Sequence, residues 1–319
     1  MSKKNAIGID LGGTNLRIGA VNSDGNILCK NLSPIQADRS VDGIINQINS
    51  QVKAILEKES GVCGIGIGMP GIIDSKTGVI YESPQYPSWV KAPFLEKLEK
   101  KLKLPVVLDN DANMIALGEH WLGAGHGLKN FLMVTLGTGI GGGWIINDKI
   151  FRGDRGFAGE IGHMIIEFDG PSCNCPSHGH GCWEAFACAS GLRRMIQGWD
   201  DVPEKREFLK AIDLDINKIS PEHLFEFAKE GNIFAHQVWQ LFGRYLGVGL
   251  ASLINVSGID TVVIGGGVVR AWDFFIEPAM AEIKKSTYND VSSKITIHKT
   301  KLLDDAGILG AAKTVFDNC

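Results

Sequence analysis

The sequence predicts an α/β fold of two related lobes with a cleft between them. Three observations carry that expectation: apolar strand runs alternate with helical periodicities along the chain, a strand-turn-strand unit occurs twice, and each copy bends through a run of glycines. Such alternation calls for sheets covered on both faces. At 319 residues the chain is long for one domain and comfortable as two.

The stretch AIGIDLGGTNLRIGAVNSDGNIL, Ala6 to Leu28, reads as a strand, a glycine turn and a second strand closed by Ser23-Asp24-Gly25. Val41 to Lys58 carries Ile44, Ile45, Ile48, Val52 and Ile55 at helical spacing, and VCGIGIGMPG is a buried strand entering a loop. Val106 to Leu108 is strand-like and Asn113 to Trp121 helical. At Phe131 the pattern restarts, FLMVTLGTGIGGGWIINDKIF echoing the first thirty residues. Helical patterns fill most of Trp183 to Ile254, and Phe242 to Val256, interrupted by Arg244, falls short of the ~20 uncharged residues of a membrane span. TVVIGGGVV is a late strand with a glycine turn, and DDAGILGAAKTVFD a closing helix. The expected boundaries are a small α/β lobe over 1–120, with the helix in 303–319 packing back on it, and a large α/β lobe over 121–302.

With 44% apolar and 21% charged residues the composition is that of a folded globular protein, and a net charge of −4 gives no electrostatic reason for a nucleic-acid or membrane partner. Small ligands are expected. The apolar run in MSKKNAIGID is too short for a signal sequence, so a cytoplasmic protein is expected, with its seven cysteines mostly thiols.

Two matches to G-x-G-x-x-G, at Gly66, Gly68, Gly71 and at Gly137, Gly139, Gly142, carry little weight among 40 glycines, and the second is followed by a strand rather than a helix. No Gly-Lys dipeptide is present for a P-loop. The turns DLGGTN and LGTGIGGG instead offer backbone N–H groups to phosphate oxygens, each adding a threonine hydroxyl, and Asp10 offers a carboxylate for hydrated Mg²⁺. In LDNDAN, Asp109 and Asp111 lie between a strand end and a helix, where catalytic groups gather in open α/β sheets. Alternation points both the same way, and a helix cap is the structural alternative. In CNCPSHGHGC, Cys173 and Cys175 are too close for an easy disulfide, whereas tetrahedral zinc suits closely spaced loop ligands joined by one from elsewhere.

Taken together, IDLGGTNLRIGAV, LDNDANMIALGE, LGTGIGGG, and AGEIGHM followed by C-x-C and CWE resemble the ROK family of sugar kinases, of the actin/hexokinase-like (ribonuclease H-like) fold. The resemblance runs from Ile7 to the closing DDAGILGAA. It implies an ATP-dependent kinase with Asp111 as catalytic base, and sugar contacts from Gly71, Asn110, Asp111, Glu160, His163 and Glu184. It places Mg-ATP on Asp10, Gly12, Gly13, Thr14, Asn15, Gly137, Thr138, Gly139, Gly265 and Gly266. It also implies a homodimer and a structural Zn²⁺ held by His163, Cys173, Cys175 and Cys182, with the second nitrogen of His163 turned to a sugar hydroxyl. The family commonly has four residues between the C-x-C pair and the third cysteine; here PSHGHG intervenes, which leaves His178 or His180 as alternatives to Cys173.

The segment SPQYPSWVKAPF, Ser83 to Phe94, resembles the family's glucokinases, so the 6-hydroxyl of glucose is the expected acceptor, with the Trp89 segment crowding an acetamido group. N-acetylmannosamine, N-acetylglucosamine and fructose kinases share the same core, and CPSHG resembles fructokinase members. A different class, the sugar-responsive regulators, carries a helix-turn-helix domain before DLGGT; nine residues precede Asp10 here.

Overall fold

Two five-stranded sheets repeat one strand order. In the computed structural model, which describes residues 4–156, 158–173, 175, 179–212 and 216–319, β1 (Asn5–Leu11), β2 (Asn15–Asn22) and β3 (Ile27–Pro34) form an antiparallel meander. After α1 (Val41–Leu56), β4 (Val62–Met69) joins β1 in parallel; the hairpin β5 (Ile72–Asp74) and β6 (Val79–Glu82) and helix α2 (Phe94–Leu102) lead to β7 (Val106–Asn110), parallel to β4. The order is β3-β2-β1-β4-β7.

Helix α3 (Asp111–Leu122) leads to the second copy: β8 (Phe131–Leu136), β9 (Ile140–Ile146) and β10 (Lys149–Phe151). Helices α4 (Ala189–Gly198), α5 (Pro203–Ala211), α6 (Pro221–Lys229) and α7 (Ile233–Ser257) precede β11 (Thr261–Gly265). Then come α8 (Trp272–Ser286), α9 (Asn289–Ser292), β12 (Thr296–Lys299) and α10 (Ala306–Phe316), and this sheet runs β10-β9-β8-β11-β12. The repeat expected from FLMVTLGTGIGGGWII is therefore present at the level of topology, and the chain has the expected α/β fold. Among the described residues no helix is long and apolar enough to cross a membrane.

The chain divides into two compact units, one of Met1–Met133, Gly142–Gly159 and Thr300–Cys319, the other of Val134–Gly141 and Glu160–Lys299. In the first, Ile7, Ile9, Ile65, Ile67 and Leu108 from the strands pack with Ile44, Ile48 and Val52 of α1. Its other sheet face takes α10. That helix lies so close that a Cβ on Gly8 or Gly66 would run into the Ile308 or Ala311 carbonyls. The fully buried Glu119 of α3 ties down the approach to α10, accepting from Leu302 N at 2.9 Å, Ala124 N at 2.6 Å and the Thr300 hydroxyl. In the second unit, Trp239, Phe242, Leu246 and Leu250 of α7 are buried, with Trp239 and Phe242 against Phe275 of α8.

Candidate active site and metal centre

Parallel pairing sets Asp10, Gly68 and Asp109 side by side on β1, β4 and β7. Acidic groups thus collect at the carboxyl ends of adjacent strands, the end from which open α/β sheets present their chemistry. Gly68 is required there because a Cβ would press on Met114 and on the Asp111 backbone. Its absence of a side chain lets the first turn of α3 settle over the sheet.

Helix α3 begins at Asp111, two residues before the sequence pattern indicates, because the Asn110 side chain caps it. Asn110 Oδ1 accepts from Ala112 N at 2.8 Å and Asn113 N at 3.4 Å. Its Nδ2 donates to Gly71 O at 3.2 Å, tying the cap to the loop after β4, where Gly71 adopts φ 126°. The cap alternative thus falls on Asn110 rather than on Asp111.

The two aspartates of the tetrad differ in their surroundings. Asp109 is buried, receives Arg152 Nε on Oδ2 at 2.6 Å, and accepts Asn110 N and Asn113 Nδ2 on Oδ1 at 2.7 and 2.9 Å. Three donors thus occupy its two oxygens. Asp111 is partly buried and accepts from backbone N–H groups alone, Ala112 N at 2.9 Å and its own N–H, among the described residues. Burial, and then the negative Asp10 nearby, push the Asp111 carboxyl up to about 6, against the opposing pull of the Ala112 N–H. A carboxylate raised in this way, with no cation paired to it among the described residues, is equipped to take a proton.

Asp10 itself is raised by burial, with Arg17 pulling it down and Asp304 adding to the rise; Arg17 Nη1 lies 3.4 Å from Asp10 Oδ2 and Nη2 3.2 Å from Asp304 Oδ1. In the adjoining turn Gly12 N donates to Asn15 O at 2.9 Å, Tyr86 OH donates to Gly12 O at 2.9 Å, and Thr14 is exposed. Gly13 backs directly on the Gln85 side chain. Trp89 is 1% exposed, stacked on Tyr86 and Phe94 at 4.4 and 5.1 Å, with its indole N–H on Arg39 O. Its ring is therefore part of the core of the first unit. It supports Tyr86, which in turn holds the Gly12 turn.

In the second unit the turn from β8 to β9 closes through Gly137 N to Gly139 O at 3.0 Å. Glu184 Oε2 accepts Ile140 N at 2.8 Å, and Gly139 is the residue whose missing Cβ admits that carboxylate. Glu184, expected as a sugar contact, is thus also an anchor of the glycine turn. Gly266, at φ 91°, lies against the Leu136 backbone, which brings the Gly265-Gly266 turn beside Gly137, and open space lies over Gly137 and Gly267. Backbone N–H groups uncovered by side chains are what phosphate oxygens need.

The cysteine loop is a bent hairpin, with Ile165 bridged to Cys182, Ser172 to His180, and Cys173 N on Gly179 O at 2.8 Å. It brings one donor atom each from His163, Cys173, Cys175 and Cys182 within 4.8 Å of one another. A tetrahedral site with ligand bonds of ~2.0–2.3 Å has edges of roughly 3.3–3.8 Å, so the set fits zinc after small closure. Two further observations agree. His163 Nδ1 is buried with no hydrogen-bond partner among the described residues, while Nε2 lies 3.8 Å from Glu160 Oε2. The three sulfurs pack together, and burial pushes the Cys173 thiol up to about 12, a proton that a bound cation would displace. His180 stands outside the cluster, and His178 lies outside the described residues.

Sequence reasoning missed Arg152, Arg17 and Tyr86, whose roles come from contacts 43, 7 and 74 residues away and leave no local pattern.

The sequence pattern of the ROK family matches residues 6–318. A glucokinase of Thermotoga maritima is 34% identical over 316 residues, 99% of this chain and 98% of that one. A xylose repressor of Caldicellulosiruptor bescii is 30% identical over 316 residues, 98% of this chain and 78% of the repressor. A solved structure of a ROK family glucokinase from Streptomyces griseus in complex with glucose and AMPPNP has a TM-score of 0.86 at 31% identity, covering 98% of this chain and 99% of that chain. Likeness of this extent in both sequence and fold shows that the chain belongs to the ROK family.

Proposed function

We propose that the protein is a sugar kinase that transfers the γ-phosphoryl group of ATP to the 6-hydroxyl of glucose, with Asp111 as general base. The observation that carries this is the contrast between Asp111, raised to about 6 with no ion-pair partner among the described residues, and Asp109, locked to Arg152. At pH 7 to 8 an Asp111 carboxylate is ionised yet more basic than an ordinary one. It takes the hydroxyl proton as the sugar oxygen bonds to the γ-phosphorus and the bond to the β–γ bridging oxygen breaks, releasing ADP.

In the first unit Gly71 and Asn110 bind sugar hydroxyls and the Gly12 to Asn15 turn binds phosphate. Mg²⁺ arriving with the nucleotide neutralises charge on the phosphate oxygens, and Asp10 is the residue that would hold it through water. In the second unit Glu160, His163 and Glu184 bind sugar hydroxyls, the Gly137 to Gly139 turn binds phosphate, and Gly265 and Gly266 flank the nucleoside. Zn²⁺ on His163, Cys173, Cys175 and Cys182 would be structural, since four protein ligands leave no open position, and would fix the His163 ring. A homodimer belongs to the same proposal.

Glucose, rather than an N-acetylhexosamine or fructose, is favoured by the likeness to glucokinases, whereas the likeness to a xylose repressor favours a sugar-binding regulator without turnover. Coupled measurement of ADP release over a panel of hexoses separates these: saturable turnover with glucose supports the kinase, and sugar binding with no ADP release overturns it.

A further inference from the structure

Cys63 on β4 and Cys319 beyond α10 are 256 residues apart in sequence, yet their sulfurs lie 2.7 Å from each other. That is roughly 0.7 Å beyond the ~2.05 Å of a covalent disulfide. The other cysteines have different settings: three form the metal cluster, Cys188 Sγ donates to Glu184 O at 2.9 Å, and Cys29 packs against the core of the first unit. We infer that Cys63 and Cys319 form a dithiol site that closes to a disulfide by exchange with a small disulfide such as oxidised glutathione.

Both residues are held in place. Cys63 lies in β4 at the register shift between its pairs Asn5–Val62 and Ile7–Ile65 with β1, and Cys319 N donates to Val315 O at 3.0 Å, while Lys4 Nζ donates to Cys319 O at 3.0 Å. The two sulfurs need only a small further approach to reach bonding distance. Cys319 is the exposed sulfur and Cys63 the partly buried one, so Cys319 is the group an external disulfide reaches first. Its thiolate attacks one sulfur of the glutathione disulfide, forming a mixed disulfide and releasing one glutathione thiolate. The Cys63 thiolate, its proton lost to water, then attacks the Cys319 sulfur and expels the second glutathione thiolate. Two protein thiols are oxidised and one small disulfide is reduced to two thiols. Burial, the neighbouring thiol and its negative form push Cys63 up to about 11, so the second step should quicken as pH rises.

The product would clamp the end of α10 to β4. The opposite end of the same helix backs onto the proposed magnesium ligand, since Gly307 packs on the Asp10 side chain. The inference does not depend on the proposed kinase activity.

The test treats the full-length, metal-replete chain with oxidised glutathione, alkylates remaining thiols, and maps peptides without reduction. A peptide joining positions 63 and 319 is expected, absent from both Cys63→Ser and Cys319→Ser. The oxidised protein should melt roughly 5 °C above the reduced one, reversibly with dithiothreitol and not in Cys319→Ser. The inference is overturned by glutathione retained on Cys319 without the joined peptide, by linkages confined to Cys173, Cys175 and Cys182, or by equal melting of both forms.

Discussion

Arg152 Nε donates to Asp109 Oδ2 at 2.6 Å, and that pairing separates the duties of the two aspartates flanking Asn110. Asp109 steadies the strand end by also accepting the Asn110 N–H and the Asn113 amide. Asp111 has no ion-pair partner among the described residues. Replacing Arg152 by alanine leaves a buried carboxylate without its cation, a change worth about 2 kcal/mol given that Arg152 is itself one-third exposed. Chemical denaturation should show that loss, and the glucose KM should rise about tenfold while kcat changes less, because Asn110 is displaced and Asp111 is not.

The proposed base fixes a pH dependence. With Asp111 raised to about 6, kcat/KM for glucose should fall as pH drops through about 6, where the carboxyl becomes protonated and can no longer accept a proton. Asp10→Asn removes the negative charge that helps raise it, so in the residual activity of that variant the acidic limb should move to lower pH.

The same shift has a stability sign. A carboxyl raised on folding from its ordinary 3.8 opposes folding when ionised, in full above about pH 6, and the penalty fades as pH falls toward 4. Asp111→Asn should therefore stabilise the protein at pH 8 by about 1 to 3 kcal/mol, with the gain vanishing near pH 4. Thermal denaturation at the two pH values checks it.

Metal content by mass spectrometry should give about one zinc per chain, lost in Cys175→Ser, Cys182→Ser and Cys173→Ser and retained in His180→Ala. Loss in His178→Ala with retention in Cys173→Ser would instead identify His178 as the ligand. If zinc fixes the His163 ring, stripping it should raise the glucose KM.

Much of this was legible in the sequence because the signals are local. Glycine turns, apolar strand runs and the helix in DDAGILGAA each occupy one short window, and the doubled strand-turn-strand pattern predicted the doubled sheet. The grouping of His163 with Cys173, Cys175 and Cys182 was legible because the three cysteines lie within ten residues. The remainder depends on distance or on mixed signals. Helix α8 contains Pro278, which argues against a helix until packing with α7 overrides it, and β12 is a four-residue strand whose side chains are largely exposed. The different surroundings of Asp109 and Asp111 could not be read from an i, i+2 spacing, since they come from Arg152, 43 residues away, and from the Asn110 N–H and Asn113 amide on Asp109. The resemblance to glucokinases pointed to the Trp89 segment as crowding the sugar, but it could not show that the Trp89 ring stacks into the core.

The most direct measurement is steady-state turnover of Asp111→Asn beside a calorimetric titration of the same variant with glucose. A general base at Asp111 predicts kcat lower by about 10²- to 10⁴-fold with glucose affinity within about tenfold of the parent, since the amide retains most of the carboxylate's hydrogen bonding. Turnover within tenfold of the parent would contradict it and move the proton acceptor elsewhere.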